Sequence, residues 1–317
     1  MASSDSSLRL RLVEIAYGAP GINLYRFASL DGAVLPDFAP GAHVDLEITP
    51  DTVRQYSLLW PQPSPERYEI AVQDSPEGRG GSGIWHRETV VGGIYCLSVP
   101  RNHFPLDLAA SAPYCLFAGG IGITPIISMY RQLVAKGLCV KLHYWTRGPE
   151  AALFREELAA ARDGSVLLHD TSSVAPRLAD ILPGVSEGTL LYCCGPGRMI
   201  DAFDALTAER PLALVHRERF AAAPLDTTPT DGFSIRLMRS KRTLEVAPEE
   251  TVLSVCLAAG IDLPYSCEEG VCGACEVRVL SGQIDHRDQV LSATARATAD
   301  TMMACCSRGL TTLELDL

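Results

Sequence analysis

No stretch of this 317-residue sequence is apolar for long enough to span a bilayer; Tyr114 to Ile127, among the longest, is broken by glycine and proline. The opening residues, Met1 to Ser7, have neither a basic region nor an apolar core, so no secretion signal and no membrane association are expected and the chain reads as cytoplasmic. Cationic residues are in deficit: 27 Lys and Arg face 38 Asp and Glu, and a net charge of −11 argues against a nucleic-acid surface, which needs clustered cations for phosphate. A basic protein partner suits this charge better. The seven histidines are scattered, and His143 in its apolar strand reads as structural. Neither a catalytic histidine nor a carboxylate pair announces general acid–base chemistry. Internal repeats and low-complexity segments are missing too.

Cysteine, by contrast, is plentiful. Eleven residues, an odd number unevenly spread and with no export signal ahead of them, argue for a reducing compartment over a disulfide framework. Cys96, Cys115 and Cys139 fall in apolar strand or helix patterns and read as small buried hydrophobes. Four others stand at Cys267-x4-Cys272-x2-Cys275 with Cys305 after 29 more residues, the plant-type ferredoxin spacing. Three thiolates on one short loop wrap a cluster, a distant fourth closes it, and Gly270 and Gly273 let backbone amides turn towards sulfur. Zinc is the competing reading, but zinc ribbons present two Cys-x2-Cys knuckles. Either Cys305 or Cys306 supplies the fourth sulfur, and spacing favours Cys305.

Length and patterning suggest three folded parts. Residues 1–106 alternate with period two (Leu8, Leu10, Leu12; Val44, Leu46, Ile48; Tyr68, Ile70, Val72), which predicts a small antiparallel β-barrel. Residues 107–222 switch to continuous apolar runs (Tyr114 to Ala118, Val140 to Trp145, Val166 to Leu168, Leu190 to Cys194) separated by helical segments such as Pro125 to Lys136. That pattern predicts an α/β unit with a parallel sheet. Residues 223–231, small, polar and proline-containing, read as a linker. In residues 232–317 a hairpin (Phe233 to Leu237, Thr243 to Val246) and a helix from Thr251 to Ala259 ending at Gly260 are expected.

Three further elements point to nucleotides. Arg54-Gln55-Tyr56-Ser57 lies in the barrel; Gly78-Arg79-Gly80-Gly81-Ser82 follows a strand and opens a helix, a plausible phosphate cradle. Gly119-Gly120-Ile121-Gly122-Ile123-Thr124-Pro125 ends the first parallel strand, with proline expected at the first helical position, and Cys194-Gly195-Pro196-Gly197 ends a later one.

In this order and spacing the motifs resemble the ferredoxin–NADP⁺ reductase superfamily. With the C-terminal cysteine set, Asp-His-Arg-Asp at 285 to 288 and Cys-Cys-Ser-Arg at 305 to 308, residues 8 to 317 resemble the phthalate dioxygenase reductase and vanillate O-demethylase reductase family. The resemblance implies a multidomain chain: an antiparallel β-barrel flavin domain, an α/β parallel-sheet nucleotide domain and a C-terminal α+β ferredoxin-like (β-grasp) domain. It implies FMN, NADH and a [2Fe-2S] cluster as redox groups, and a Rieske-type oxygenase as partner of a monomeric reductase; a stand-alone flavin reductase or diaphorase is the alternative.

Residue by residue, the resemblance implies that Arg54, Gly80, Gly81 and Ser82 hold the FMN phosphate. Gln55 belongs to the same flavin segment, Tyr56 and Ser57 lie against the ring, Ser57 near the hydride-accepting N5, and Ala71 and Val72 offer it main-chain contacts. Thr124 stands between flavin and nicotinamide, and Phe220 covers the flavin face. Gly119, Gly120 and Gly122 receive the NADH pyrophosphate; Cys194, with Gly195 and Pro196, approaches the nicotinamide. Arg147, after the second parallel strand, is placed to meet a 2′-phosphate if NADPH is used. Cys267, Cys272, Cys275 and Cys305 hold the irons. Apart from the resemblance, Glu268 and Glu269 in the cluster loop are expected to form an acidic rim that docks a basic oxygenase face. A flavin fits between a two-electron donor and a one-electron cluster because it accepts a pair and releases electrons singly.

Overall fold

The structure, a computed structural model, describes residues 7–75, 80–109, 112–161, 163–220, 231–291, 296 and 300–317. The expected linker, apart from Asp231, and Gly78-Arg79 lie outside these residues. The chain divides into two compact units, Ser7–Phe220 and the C-terminal part from Ala221 onward.

The first unit begins with six strands, β1 (Ser7–Ala19), β2 (Ile22–Ser29), β3 (His43–Thr49), β4 (Thr52–Ser57), β5 (Arg67–Gln73) and β6 (Ile94–Ser98), ordered β4-β3-β6-β1-β2-β5. All the pairs are antiparallel. A bridge between Leu58 and Ile70 brings the two edges together, so the sheet curls into the expected barrel. Period-two alternation sends Leu10, Leu12, Phe27, Val44, Leu46, Tyr68, Ile70 and Leu97 inward. The helix α1 (Gly81–Glu88) adds Trp85, 2% exposed and packed on Tyr25, Phe27 and Tyr95; cutting this indole back to alanine would cost about 3–5 kcal/mol.

A parallel sheet follows: β7 (Tyr114–Gly119), β8 (Val140–Thr146), β9 (Val166–Asp170), β10 (Leu190–Cys194) and β11 (Val215–Glu218), ordered β11-β10-β7-β8-β9. Every residue of the central β7 is buried, which explains its unbroken apolar run. On one face α2 (Ile123–Ala135) buries Ile126, Met129, Tyr130 and Leu133; on the other, α4 (Leu178–Ile181) and α5 (Gly197–Thr207), which flank β10 after the short α3 (Arg155–Ala160), bury Leu178, Ile200 and Phe203 against Phe117 and Leu191. His143 is structural: it hydrogen-bonds His169 at 3.0 Å and stacks on Phe117, and burial lowers its pKa to about 4. Of the three cysteines expected inside, Cys115 is buried, Cys96 half-buried, and Cys139 exposed because it falls in the loop before β8 and not in the strand.

Barrel and sheet share one core. Ala19, Ile22, Leu59, Ala71 and Phe104 pack with residues of β7, β8 and α2. The Arg131 guanidinium lies 3.1 Å from the Trp60 ring centroid, also faces Phe154, donates to the Leu59 carbonyl and forms a two-point ion pair with Glu157.

The second unit is a mixed sheet from β12 (Phe233–Leu237), β13 (Arg242–Val246), β14 (Glu276–Ser281), β16 (Thr301–Met303) and β18 (Leu313–Leu315), ordered β13-β12-β18-β14-β16, with β15 (Ile284–Asp285) paired to β17 (Arg308–Gly309). Among the described residues of this unit only the β12–β18 pair is parallel, the signature of a β-grasp. Helix α6 (Val252–Ala258) starts at a Thr251–Ser254 capping box and ends before Gly260, whose φ of 76° only glycine adopts freely. Among the described residues no helix is long and apolar enough to cross a membrane.

Candidate functional site

The strand order of the parallel sheet reverses between β7 and β10, and open α/β sheets bind ligands where such a reversal opens a crevice at the carboxyl edge. Both glycine motifs end there. A Cβ on Gly122 would meet the Cys194 carbonyl oxygen at 2.4 Å; one on Gly119 would come to 2.7 Å of Met199 and Pro196, and one on Gly195 to 3.2 Å of Gly119. Gly122 is thus a glycine because the Cys194–Gly195 backbone presses against it, and Gly119 because the Met199 and Pro196 side chains do, so the ligand is not needed to explain them. Gly120 differs: open space surrounds it, but its φ is 54°. A 3₁₀ turn over Gly120–Gly122 precedes α2, so Pro125 is the third helical residue and not the first. Thr124, buried, donates its hydroxyl to the Ile121 carbonyl and braces that turn. Helix α5 opens after Pro196 and is tied to β11 by Arg217–Asp204 and Arg219–Asp201 ion pairs.

One residue here carried no signal in sequence. Glu218 ends β11 directly beside Cys194 in register. Its Oε2 is enclosed without a hydrogen-bond partner, and burial raises its carboxyl from the ordinary range to about 8, so it is held mainly as the neutral acid at pH 7. Burial also pushes the Cys194 thiol up, so it too stays protonated. Phe220 follows, 44% exposed and hence not a core residue. At the far edge, Arg147 is exposed, while Asp170 accepts the Gly148 amide at 2.9 Å, so charges of both signs share that edge.

In the barrel, Gly80 adopts φ 82° at the N-terminus of α1, and a Cβ on Gly81 would come to 3.1 Å of the Arg54 Nε. A guanidinium beside unpaired helix amides fits a phosphate. Ser82 already accepts the Ser75 amide at 3.1 Å. Strand alternation puts Arg54 and Tyr56 on one face of β4 and Gln55 and Ser57 on the other. Gln55 accordingly turns to Asp45, which Arg101 also holds. Tyr56 is largely enclosed, and burial raises its phenol; Ser57, 5% exposed, ends the strand. Ala71 and Val72 are buried in β5, and the Val72 carbonyl already accepts from His86.

In the second unit, Cys267, Cys272, Cys275 and Cys305 are each at most 6% exposed. Their sulfurs touch in the order Cys272, Cys267, Cys305, Cys275. Four buried thiols brought together in this way suit a two-iron cluster held by four thiolates. Contacts from Cys272 and Cys305 and the Glu269 and Val271 amides hold Cys267 below the usual thiol range. The Glu269 amide donates to Cys267 at 3.3 Å and the Ala274 amide to Cys272 at 3.4 Å, across turns set by Gly270 (φ 69°) and Gly273 (φ 71°). The residues fit the cluster. Cys306, next in the chain, is also buried, and its thiol faces the Met303 carbonyl. Of the acidic rim, Glu268 is exposed, but Glu269 is half-buried.

Residues 235–309 match the 2Fe-2S iron–sulfur cluster binding domain family. The whole chain is 42% identical to phenoxybenzoate dioxygenase subunit beta of Ectopseudomonas oleovorans, covering 100% of this chain and 98% of that one. A solved phthalate dioxygenase reductase, described as a modular structure for electron transfer from pyridine nucleotides to [2Fe-2S], is 35% identical over 99% of this chain and 98% of its own, with a TM-score of 0.70. An intact type IV self-sufficient cytochrome P450 monooxygenase is 38% identical with a TM-score of 0.92 over 98% of this chain, which spans 41% of that longer polypeptide.

Proposed function

The chain belongs to the phthalate dioxygenase reductase family, and from that premise we propose that it accepts hydride from NADH on FMN and delivers single electrons through its [2Fe-2S] centre to a Rieske-type oxygenase. The observation that carries this reading is the coexistence of a switch-point crevice in one unit and a buried four-cysteine ring in the other. When bound, the flavin splits the electron pair and the cluster carries one electron at a time.

The chain's own part is positioning. Arg54 and the N-terminus of α1 hold the flavin phosphate; Tyr56 contributes its ring and Ser57 the strand-end main chain. The N-terminus of α2 and the Gly119 to Gly122 turn take the pyrophosphate, and Cys194, Thr124 and Phe220 border the nicotinamide. Cys194 and Glu218, both neutral at pH 7, add no charge beside a ring that becomes cationic as hydride leaves it. Asp170 beside Arg147 offsets the positive charge that a 2′-phosphate would need, which favours NADH.

An anaerobic NADH titration followed by visible absorption and EPR tests the reading: flavin absorbance should bleach and a reduced-cluster signal should rise, and denaturation should release FMN. Release of FAD, or a cluster that stays oxidised under excess NADH, would refute it. A higher kcat/KM with NADPH would overturn the nicotinamide assignment. The match to the P450 polypeptide favours one second reading, a haem acceptor in place of a Rieske centre. Reconstitution with each class of oxygenase separates the two.

Glu218→Gln should expose the burial of this acid. Because its folded pKa is raised, wild-type stability is full below the ordinary carboxyl range and falls as pH rises through about 8. Between pH 6 and 9 the loss should be on the order of 2–3 kcal/mol, and the glutamine variant should lack that component. Identical pH profiles of Tm for both proteins would show that Glu218 is already ionised.

Docking of a basic partner at the cluster rim predicts that Glu268→Lys slows electron delivery to the oxygenase several-fold at low salt, with little effect on dye reduction. The difference should shrink as ionic strength rises. A variant that matches wild type with its natural oxygenase at low salt rules the rim out.

A further inference from the structure

Helix α2 meets the barrel along one stripe. Thr124, Ser128 and Arg131, spaced four and three residues apart, share a helix face. Thr124 braces the turn at the crevice, and the other two are fastened to barrel main chain. Ser128, fully buried, accepts the Gly41 amide at 3.2 Å and donates its own hydroxyl to the Pro125 carbonyl at 2.6 Å. Arg131 donates from Nη1 to the Leu59 carbonyl at 3.0 Å while its guanidinium lies over the Trp60 ring. Glu157 takes the other side of the fork at 2.7 and 2.5 Å, so the arginine side chain is only 11% exposed.

Both attachment points flank the end of β4. Register pairs His43 of β3 with Ser57, the last residue of β4. Gly41 stands two residues before His43, and Leu59 two after Ser57. The Leu58 amide joins these segments by donating to the Ala42 carbonyl at 2.9 Å, and the Leu59 amide donates to the Glu69 carbonyl of β5 at 3.1 Å, two residues before Ala71. Gly41 has φ 89°, and a Cβ there would overlap the Phe104 carbonyl oxygen, so the close approach requires glycine. A bond that served only to hold barrel and sheet together could sit anywhere between them. These two fall beside the residues assigned to the flavin ring, on the helix whose first turn is assigned to the nicotinamide.

We propose that Arg131 and Ser128 are positioning residues for hydride transfer: through the Leu59 and Gly41 main chain they fix the gap between the end of β4 and the first turn of α2. The inference rests on the reaction proposed above. In that reaction the nicotinamide C4–H bond breaks, hydride is received at flavin N5, and NADH is oxidised as the flavin is reduced by the same two electrons. Neither residue is a reactant. They act on distance, to which transfer is steep: about 1 Å of misplacement costs on the order of a hundredfold. Arginine suits the task because its planar fork meets a carboxylate and a carbonyl at once while stacking on an indole, which a lysine ammonium does not do in one geometry.

The test is anaerobic stopped-flow reduction by NADH of the FMN-loaded protein, wild type against Arg131→Met, Arg131→Lys and Ser128→Ala. At saturating NADH, hydride transfer should slow roughly ten- to a hundredfold in Arg131→Met and several-fold in Ser128→Ala, while Arg131→Lys, which keeps a donor for Leu59, recovers part of the loss. Dissociation constants for FMN and NADH should stay within about threefold of wild type, since the change is in the transition state and not in binding. The long-wavelength absorbance of nicotinamide stacked on flavin should weaken in step with the rate. If Arg131→Met does not fold, Trp60→Leu, at a side chain 41% exposed, removes the shelf under the guanidinium and should give the same pattern to a smaller degree. Folded variants that keep the wild-type rate constant and absorbance overturn the proposal. So does slowing that disappears at saturating NADH or follows from lost FMN, which would mark a role in binding. Wild-type FMN protein that NADH fails to reduce would instead sink the reaction assigned to the chain.

Discussion

Replacing Cys272 by alanine is expected to erase the reduced-cluster EPR signal and cut electron delivery to an oxygenase by more than about a hundredfold, while NADH-driven dye reduction continues within about twofold. Outer-sphere changes around metal sites already cost about 10–100-fold, and a ligand counts for more. Cys272 is 4% exposed and in contact with Cys267, so a methyl in its place leaves one iron with a single protein sulfur. Dye reduction survives because the crevice lies in a unit with its own core, in which Leu116, Ile126 and Tyr192 have no counterpart among the residues packed around the cysteines. The measurements are iron and sulfide content, EPR, and parallel assays with ferricyanide and with the oxygenase. Undiminished delivery by cluster-free protein would mean that electrons leave from the flavin directly.

That separation was legible in sequence wherever the governing contacts are local. Cys267, Cys272 and Cys275 sit within nine residues, so their spacing alone encodes a wrapped loop. The Gly260 stop and the hairpin around Lys241 are also short-range events, and both are present. The run Tyr114 to Ala118 betrayed a central strand because burial on both faces leaves no alternation to read.

Other features depend on residues far apart. Glu218 looked like one more charge in His216-Arg217-Glu218-Arg219-Phe220; only the pairing of β11 with β10 places it beside Cys194. Gln55 was grouped with its neighbours by motif, yet the pleat turns its amide to Asp45. The β-grasp strands after Cys275 were missed for a different reason. Runs of two and three residues fall below the length at which periodicity is readable, whereas the six-residue β14, in which Val277 and Val279 alternate inward, could have been read. Helix α5 could have been found: Ile200, Phe203 and Thr207 recur at helical spacing after Pro196.

The second large effect is expected from Gly122→Ala. Its Cβ would fall 2.4 Å from the carbonyl oxygen of Cys194, 2.5 Å from its carbon and 2.7 Å from the Gly195 nitrogen, all main-chain atoms that no rotamer change can move aside. Overpacking of this kind costs about 1–3 kcal/mol and is relieved by shifting α2 away from β10. Those two elements form the crevice, and a displacement of about 1 Å at a reacting site lowers rates on the order of a hundredfold. NADH-driven dye reduction should therefore fall by about that factor, with the cluster spectrum unchanged. Gly120→Ala is the internal control. Its Cβ meets nothing within 4 Å, so the cost is only the left-handed backbone, about 1–2 kcal/mol of stability, with kcat/KM for NADH reduced far less. If Gly120→Ala proves the more damaging to NADH turnover, pyrophosphate contact at Gly120, and not the closeness of α2 to β10, governs the crevice.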